Sequence, residues 1–230
     1  DLNALLLKNL NFELTKDQIK VINEISDDLK SNKPMLRLLQ GDVGSGKTIV
    51  AIFAIIQVVG SGSQAALMAP TEVLAQQHYQ NLKPLIKNLD IEITLIVGKQ
   101  SKKLKKQNYE NVKNGKSKII IGTHALTSKG LIYKNLKLAV IDEQHRFGVN
   151  QRQKLLSKST NPNLMAMTAT PIPRTLAITY NGDMDLSIID ELPKNRPDIH
   201  TLFIEKDNLS TAFNFIREKV ESGGQTIIVY

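Results

Sequence analysis

Short apolar runs alternate along this chain with stretches whose apolar positions recur every three or four residues. The runs Met35–Leu39, Gln64–Met68, Ile91–Val97, Lys118–Ile121, Leu138–Ile141 and Leu164–Met167 read as strands. Between them, helical periodicity falls near 16–30, 47–59, 72–88, 101–114 and 150–157, with a further helix expected at Arg174–Tyr180. Strand and helix in strict alternation predict an α/β fold, with a mostly parallel sheet flanked by helices. Two prolines within Leu192–Pro197 exclude a helix interior and mark a linker, placed at 192–198. Beyond it Ile199–Ile204, Leu209–Glu221 and Thr226–Tyr230 read as strand, helix and strand. The expected organisation is therefore a lobe over 1–191 and the opening β-α-β of a second α/β unit over 199–230.

Composition narrows the chemistry. With 41% hydrophobic and 23% charged residues the chain has enough apolar surface to fold, and wholesale disorder is excluded. It contains no cysteine, so a disulfide framework, a zinc–thiolate cluster and a cysteine nucleophile are excluded too. The histidines at 78, 124, 145 and 200 lack metal-pair spacing, and no structural metal cluster is expected. The longest apolar stretch, Ile49–Val59, is interrupted by Gln57 and is too short for a membrane span; it fits a buried helix. No basic-then-apolar leader is visible at the start.

The net charge of +8 is concentrated. Residues 99–118 hold eight lysines and one acid, while outside them 22 basic residues face 21 acidic ones. Such a segment is the footprint of a polyanion contact, or else a solvated lysine-rich helix, and charge alone leaves both open.

The sharpest signal is Gly41-Asp42-Val43-Gly44-Ser45-Gly46-Lys47-Thr48, a full match to the phosphate-loop pattern between a predicted strand and a predicted helix. Its glycines let successive backbone N–H groups face phosphate oxygens, and the helix starting near Lys47 adds its positive end. Lys47 is expected to neutralise the β- and γ-phosphates, and the Thr48 hydroxyl to ligate Mg²⁺. A second requirement is a carboxylate facing that ion. The run Leu138–Ile141 ends in Asp142-Glu143, which places Asp142 at a strand's carboxyl edge as a Mg²⁺ ligand and Glu143 beside it as general base for an attacking water.

Continued as Asp142-Glu143-Gln144-His145-Arg146-Phe147-Gly148, this segment resembles motif II of superfamily two helicases and translocases, whose first motor lobe is RecA-like. Ala69–Gln77 resembles their motif Ia, Gly122–Leu126 motif Ib and Thr168–Thr175 motif III, in the right order and each after a predicted strand. Motif II with Thr168-Ala169-Thr170-Pro171-Ile172-Pro173-Arg174 is shared by RecG branched-DNA helicases and by transcription-repair coupling translocases. Gln144, Ile188–Pro193 and the surroundings of the phosphate loop favour the RecG family. That resemblance covers essentially the whole chain. It implies ATP and Mg²⁺ as cofactors, branched or duplex DNA as partner, and a cytoplasmic bacterial protein. It also implies a second lobe supplying the arginine finger, and a wedge domain elsewhere in the full-length chain. Pro70 and Thr71 of motif Ia, Thr123 and His124 of motif Ib, and the loop Gly98-Lys99-Gln100 become candidate DNA contacts. His145 becomes a link between motifs II and III at the nucleotide site.

Gln18 carries two competing readings. Thr15-Lys16-Asp17-Gln18 is a capping box, with Gln18 reaching back to the cap. In related motors a glutamine at this place, after an aromatic residue (here Phe12), reads the adenine edge, for which an amide's paired donor and acceptor suit. Adenine contact is the favoured reading. The alternatives of another class are a phosphate-loop kinase or a nucleotide-dependent interaction module; a kinase would need an acceptor site and lid arginines, which the sequence does not display.

Overall fold

The computed structural model describes residues 2–170, 184–191, 201–205 and 208–229. The chain divides into two compact units, Asp1–Lys194 and Asn195–Tyr230.

In the first unit seven strands form one sheet in the order β3-β4-β2-β5-β6-β1-β7, with every pair of neighbours running parallel. In chain order these are β1 (Leu36–Gly41), β2 (Gln64–Met68), β3 (Glu92–Ile96), β4 (Ser117–Gly122), β5 (Leu136–Ile141), β6 (Asn163–Thr168) and β7 (Asp185–Ile189). The helices are α1 (Leu2–Lys8), α2 (Lys16–Lys30), α3 (Lys47–Gly60), α4 (Glu72–Leu85), α5 (Lys102–Lys113) and α6 (Val149–Leu156). The alternating pattern predicts this parallel sheet flanked by helices, and a RecA-like lobe is what the resemblance implies.

The apolar strands read as unbroken runs because both faces of the sheet are covered. Alternate residues go to opposite cores. Leu67, Ile119, Ile121, Leu138 and Val140 pack with α3, whereas Ala66, Met68, Ile120, Ala139 and Ile141 pack with Val112, Leu126 and Leu155 on the other face. Helix α3 has ten buried residues, on every side, which is why its sequence is apolar all round.

Two elements are not visible as periodic patterns. Helix α1 is seven residues long, too short for a decisive period, and is held by the burial of Leu6. Strand β7 is a partly exposed edge strand on β1. Arg37 of β1 anchors it: the guanidinium, in a side chain 9% exposed, lies 2.7 Å from Asp28 Oδ2 and donates to Ser187 Oγ at 2.7 Å, with Glu24 at 3.3 Å. Helix α4 stops at Leu85 instead of 88, one residue after Pro84.

The second unit contains α7 (Leu209–Glu221), as expected. The strands expected at 199–204 and 226–230 are a correction: 201–205 and 225–229 join no ladder among the described residues, and a strand exists only through a paired neighbour. The expected helix 174–180 and the linker 192–198 lie outside the described residues, as do residues 171–175 of motif III.

Candidate functional site

In a parallel sheet all strand ends of one polarity share an edge, so the loops after β1, β2, β3, β4, β5 and β6 gather on one side of the lobe. Among the described residues, the phosphate loop, motifs Ia, Ib and II and the 98–100 loop sit in these loops.

After β1 the chain turns through Gly44 (φ +82°) and Gly46 (φ +88°), conformations that side chains disfavour. Gly41 is needed for another reason, since a Cβ there would meet Ser45 Oγ at 2.5 Å and Ile189 O at 2.9 Å. Asp42 holds the turn by accepting from Val43 N at 2.7 Å through its side chain and from Ser45 N at 3.1 Å through its carbonyl. No side chain caps α3, which begins at Lys47 directly after the loop. Ser45 is fully buried and its Oγ has no hydrogen-bond partner among the described residues, a polar atom able to take one. Lys47 Nζ donates to the carbonyls of Gly41 (2.6 Å) and Asp42 (2.9 Å), folding over the loop that it would share with phosphate. Burial holds its ammonium below the ordinary lysine range, against the nearby charges of Glu143, Asp142 and Asp42, which favour protonation.

Strand β5 delivers the carboxylates. Asp142 N donates to Met68 O at 2.9 Å, fixing the residue beside the end of β2. Its Oδ2 lies 2.8 Å from His78 Nε2 on α4, with the two side chains only 14% and 11% exposed. Glu143 adopts a left-handed backbone (φ 49°, ψ 57°), a conformation that costs a non-glycine residue roughly 1–2 kcal/mol. Its Oε2 is buried and lies 3.4 Å from His145 Nδ1. His145 thus faces the carboxylate next to it. Thr48 lines a small cleft with His78, Ile52, Ile55, Leu67, Leu82 and Ile121.

These donors fit a nucleotide carrying Mg²⁺. Mg²⁺ with phosphates takes one or two protein oxygens and completes its shell elsewhere, and among the described residues no cluster of three or more His, Asp or Glu forms a cage of its own. Thr48 and Asp142 are a hydroxyl and a carboxylate of the required hard-oxygen type.

Gln18 is 2% exposed and does more than the capping box requires. The capping box is present, with Gln18 Oε1 accepting from Thr15 N (3.0 Å) and Thr15 Oγ1 accepting from Gln18 N (3.2 Å). In addition Gln18 Nε2 donates to Ser45 O at 2.9 Å, which ties α2 to the phosphate loop. Phe12, upstream, is 51% exposed.

Along the same edge Ala69 N donates to Gly122 O at 2.8 Å, joining the loops after β2 and β4. Thr71 caps α4 through Leu74 N, and Glu72 Oε1 accepts from Gly98 N (3.0 Å) and Lys99 N (3.3 Å). Pro70, Thr71, Gly98, Lys99 and Gln100 are thereby brought together. His124 is exposed, whereas Thr123 is 3% exposed and its hydroxyl is buried without a hydrogen-bond partner among the described residues. The lysine run divides. Lys102, Lys103, Lys105 and Lys106 occupy the first half of α5, exposed and next to the 98–100 loop. Lys116 and Lys118 lie toward the far edge, bound to Glu92 (3.4 Å) and Gly62 O (3.0 Å).

His78 and Glu72 were not recognisable as functional in the sequence. No spacing relates position 78 to 142 or 72 to 98; only the strand order brings them together.

A family model described as DEAD/DEAH box helicase matches residues 15–178. Proteins named ATP-dependent DNA helicase RecG are similar: that of Synechocystis sp. is 48% identical over 96% of this chain and 27% of its own length, and that of Borreliella burgdorferi 45% identical over 100% and 34%. The chain thus spans about a third of these relatives or less. Among solved structures, RecG bound to a three-way DNA junction matches with a TM-score of 0.89 at 40% identity, over all of this chain and 31% of that one. A DEAD-box helicase, Mss116, bound to single-stranded RNA shares the fold (TM-score 0.68, 19% identity, 96% and 50% covered).

Proposed function

The chain belongs to the DEAD/DEAH box helicase family, and on that premise we propose that it is the ATP-binding motor lobe of a RecG-type branched-DNA helicase. The reading assigns 1–191 to that lobe, 192–198 to a linker and 199–230 to the start of a second lobe, with a wedge domain and the rest of the second lobe elsewhere in the full protein. The observation that carries it is Lys47, whose Nζ folds over the phosphate loop onto the carbonyls of Gly41 and Asp42, at the sheet edge that also bears Asp142 and Glu143. The names of the similar proteins and the RecG junction structure support branched or duplex DNA as the partner.

In this mechanism Lys47 leaves the carbonyls of Gly41 and Asp42 and turns its ammonium to the phosphates, while the loop amides and the uncapped start of α3 share their charge. Thr48 and Asp142 would hold Mg²⁺, which supplies charge neutralisation at the phosphate oxygens. Glu143 accepts the proton of the attacking water, its strained backbone presenting the carboxylate at the strand end. His145 Nδ1 steadies that carboxylate. Gln18 contributes by fixing Ser45 O, and its remaining amide hydrogen and Phe12 are the groups offered to adenine. The Pro70–Thr71 and Gly98–Gln100 loops, with His124, follow the DNA backbone, consistent with the preference of phosphate for free N–H groups and helix starts.

Calorimetry with ATP·Mg²⁺ tests the reading. Lys47→Ala leaves a partly buried phosphate charge without its cation, a loss on the order of 3 kcal/mol and more than about a hundredfold in Kd. Unchanged affinity refutes the assignment. In a protein that includes both lobes, Glu143→Gln stops hydrolysis while ATP binding persists.

A further inference from the structure

We propose that His78 is a positioning residue that transmits DNA contact at the start of α4 to the Asp142 carboxylate. The inference rests on the proposed function, in which Thr71 faces DNA and Asp142 faces the nucleotide's metal, and adds a residue that couples the two.

Three observations carry it. First, Asp142 has little freedom except at its side chain. Its backbone N–H is tied to Met68 O and its Oδ2 lies 2.8 Å from His78 Nε2, so the imidazole sets the direction of the carboxylate. An ionised carboxylate is acceptor-only, so this pairing places a hydrogen on Nε2. Second, His78 lines the same small apolar cleft as Thr48, the residue in the first turn of α3 whose hydroxyl is the other proposed metal ligand. Third, α4 is fastened at its other end to the edge where DNA is proposed to lie. Thr71 caps it, and Glu72 Oε1 accepts from both Gly98 N and Lys99 N.

Thr71 and His78 are seven residues apart, about two helical turns and roughly 10 Å along the axis, on nearly the same face. A helix moves as a rigid rod over that length. A shift of the 70–72 and 98–99 backbone on meeting phosphates therefore arrives at Nε2, where even a small displacement of the imidazole reorients Asp142. Such coupling is reciprocal, so metal-nucleotide binding also alters DNA affinity.

The test measures ADP·Mg²⁺ and metal-free ADP affinity on residues 1–230 at low salt, with and without a forked duplex. In the unaltered chain DNA shifts ADP·Mg²⁺ affinity by about fivefold or more and leaves metal-free ADP affinity unmoved. His78→Ala reduces the shift to within about twofold, and His78→Gln, which keeps a donor, restores part of it. An equal DNA response in His78→Ala overturns the proposal and leaves the function standing. Absence of nucleotide binding in the unaltered chain removes the function and the proposal together. A second measurement needs no variant: in ¹⁵N-histidine spectra the His78 Nε2 signal moves on adding the duplex without nucleotide. An unmoved signal, with DNA bound, overturns the proposal.

Discussion

Gly46→Ala strikes the point where the phosphate loop, α2 and α3 meet. The glycine has φ +88°, and a methyl on it would lie 2.2 Å from Gln18 Nε2 and 3.4 Å from Ile49 Cγ2. The left-handed backbone costs an alanine roughly 1–2 kcal/mol. The clash with Gln18 is relieved by moving its amide, which breaks the bonds to Thr15 N and Ser45 O, each with a net worth of about 0.5–1.5 kcal/mol. Together the substitution should destabilise the lobe by about 2–5 kcal/mol and weaken ADP binding as Ser45 is released. Urea unfolding and calorimetry measure both. Because part of the cost is the amide's displacement, Gly46→Ala and Gln18→Ala should be less than additive, with a coupling of about 1–3 kcal/mol. Strict additivity, or a Gly46→Ala variant of undiminished stability, would refute the geometry on which the magnitude is built.

Other expectations follow from charge. Replacing Lys102, Lys103, Lys105 and Lys106 by glutamine should flatten the slope of log K against log salt for DNA by roughly 0.9 for each phosphate left without its lysine, while replacing Lys113, Lys116 and Lys118 should leave it; equal effects would contradict the division of the run. Burial lowers the Lys47 pKa, so the unfolded chain binds the proton more tightly. Lys47 therefore makes stability rise with pH between its lowered folded value and 10.5, and Lys47→Met should remove that rise in pH-dependent unfolding. Arg37→Met should loosen β7 by about 1–3 kcal/mol, since Glu24, Asp28 and Ser187 lose a shared donor though the acids stay partly solvated. Faster hydrogen exchange in 185–189 would be its signature.

Legibility in the sequence follows the range of the interactions. The helix over Ile49–Val59 and the runs that form β2, β4 and β5 are coded by consecutive residues, so periodicity is enough. The loop from Gly41 to Thr48 is legible because its conformation is local, needing glycine where φ is positive. Bonds closed by topology are hidden: His78 reaches Asp142 and Arg37 reaches Ser187 only after the strands are ordered. Gln18 shows the intermediate case. Its capping box spans four consecutive residues and is readable, but the bond to Ser45 crosses from α2 to another loop and is not. The lysines of 99–118 look like one patch because sequence does not display a helix's two ends, and here α5 separates Lys113, Lys116 and Lys118 from the other five. The strands expected beyond residue 198 show that propensity alone does not supply a partner.

The burial of α3 on every side has a mechanical consequence. Most nucleotide loops can be imagined as hinged flaps, but this one is bolted to the axle of the lobe: Lys47 and Thr48 are the first residues of a helix buried from Ile49 to Val59 except at Gln57. Freeing the loop from its helix would mean exposing Ile49 through Val59, which amounts to melting the lobe. Any displacement of the phosphate loop is therefore passed to the core of the lobe, with little slack to absorb it.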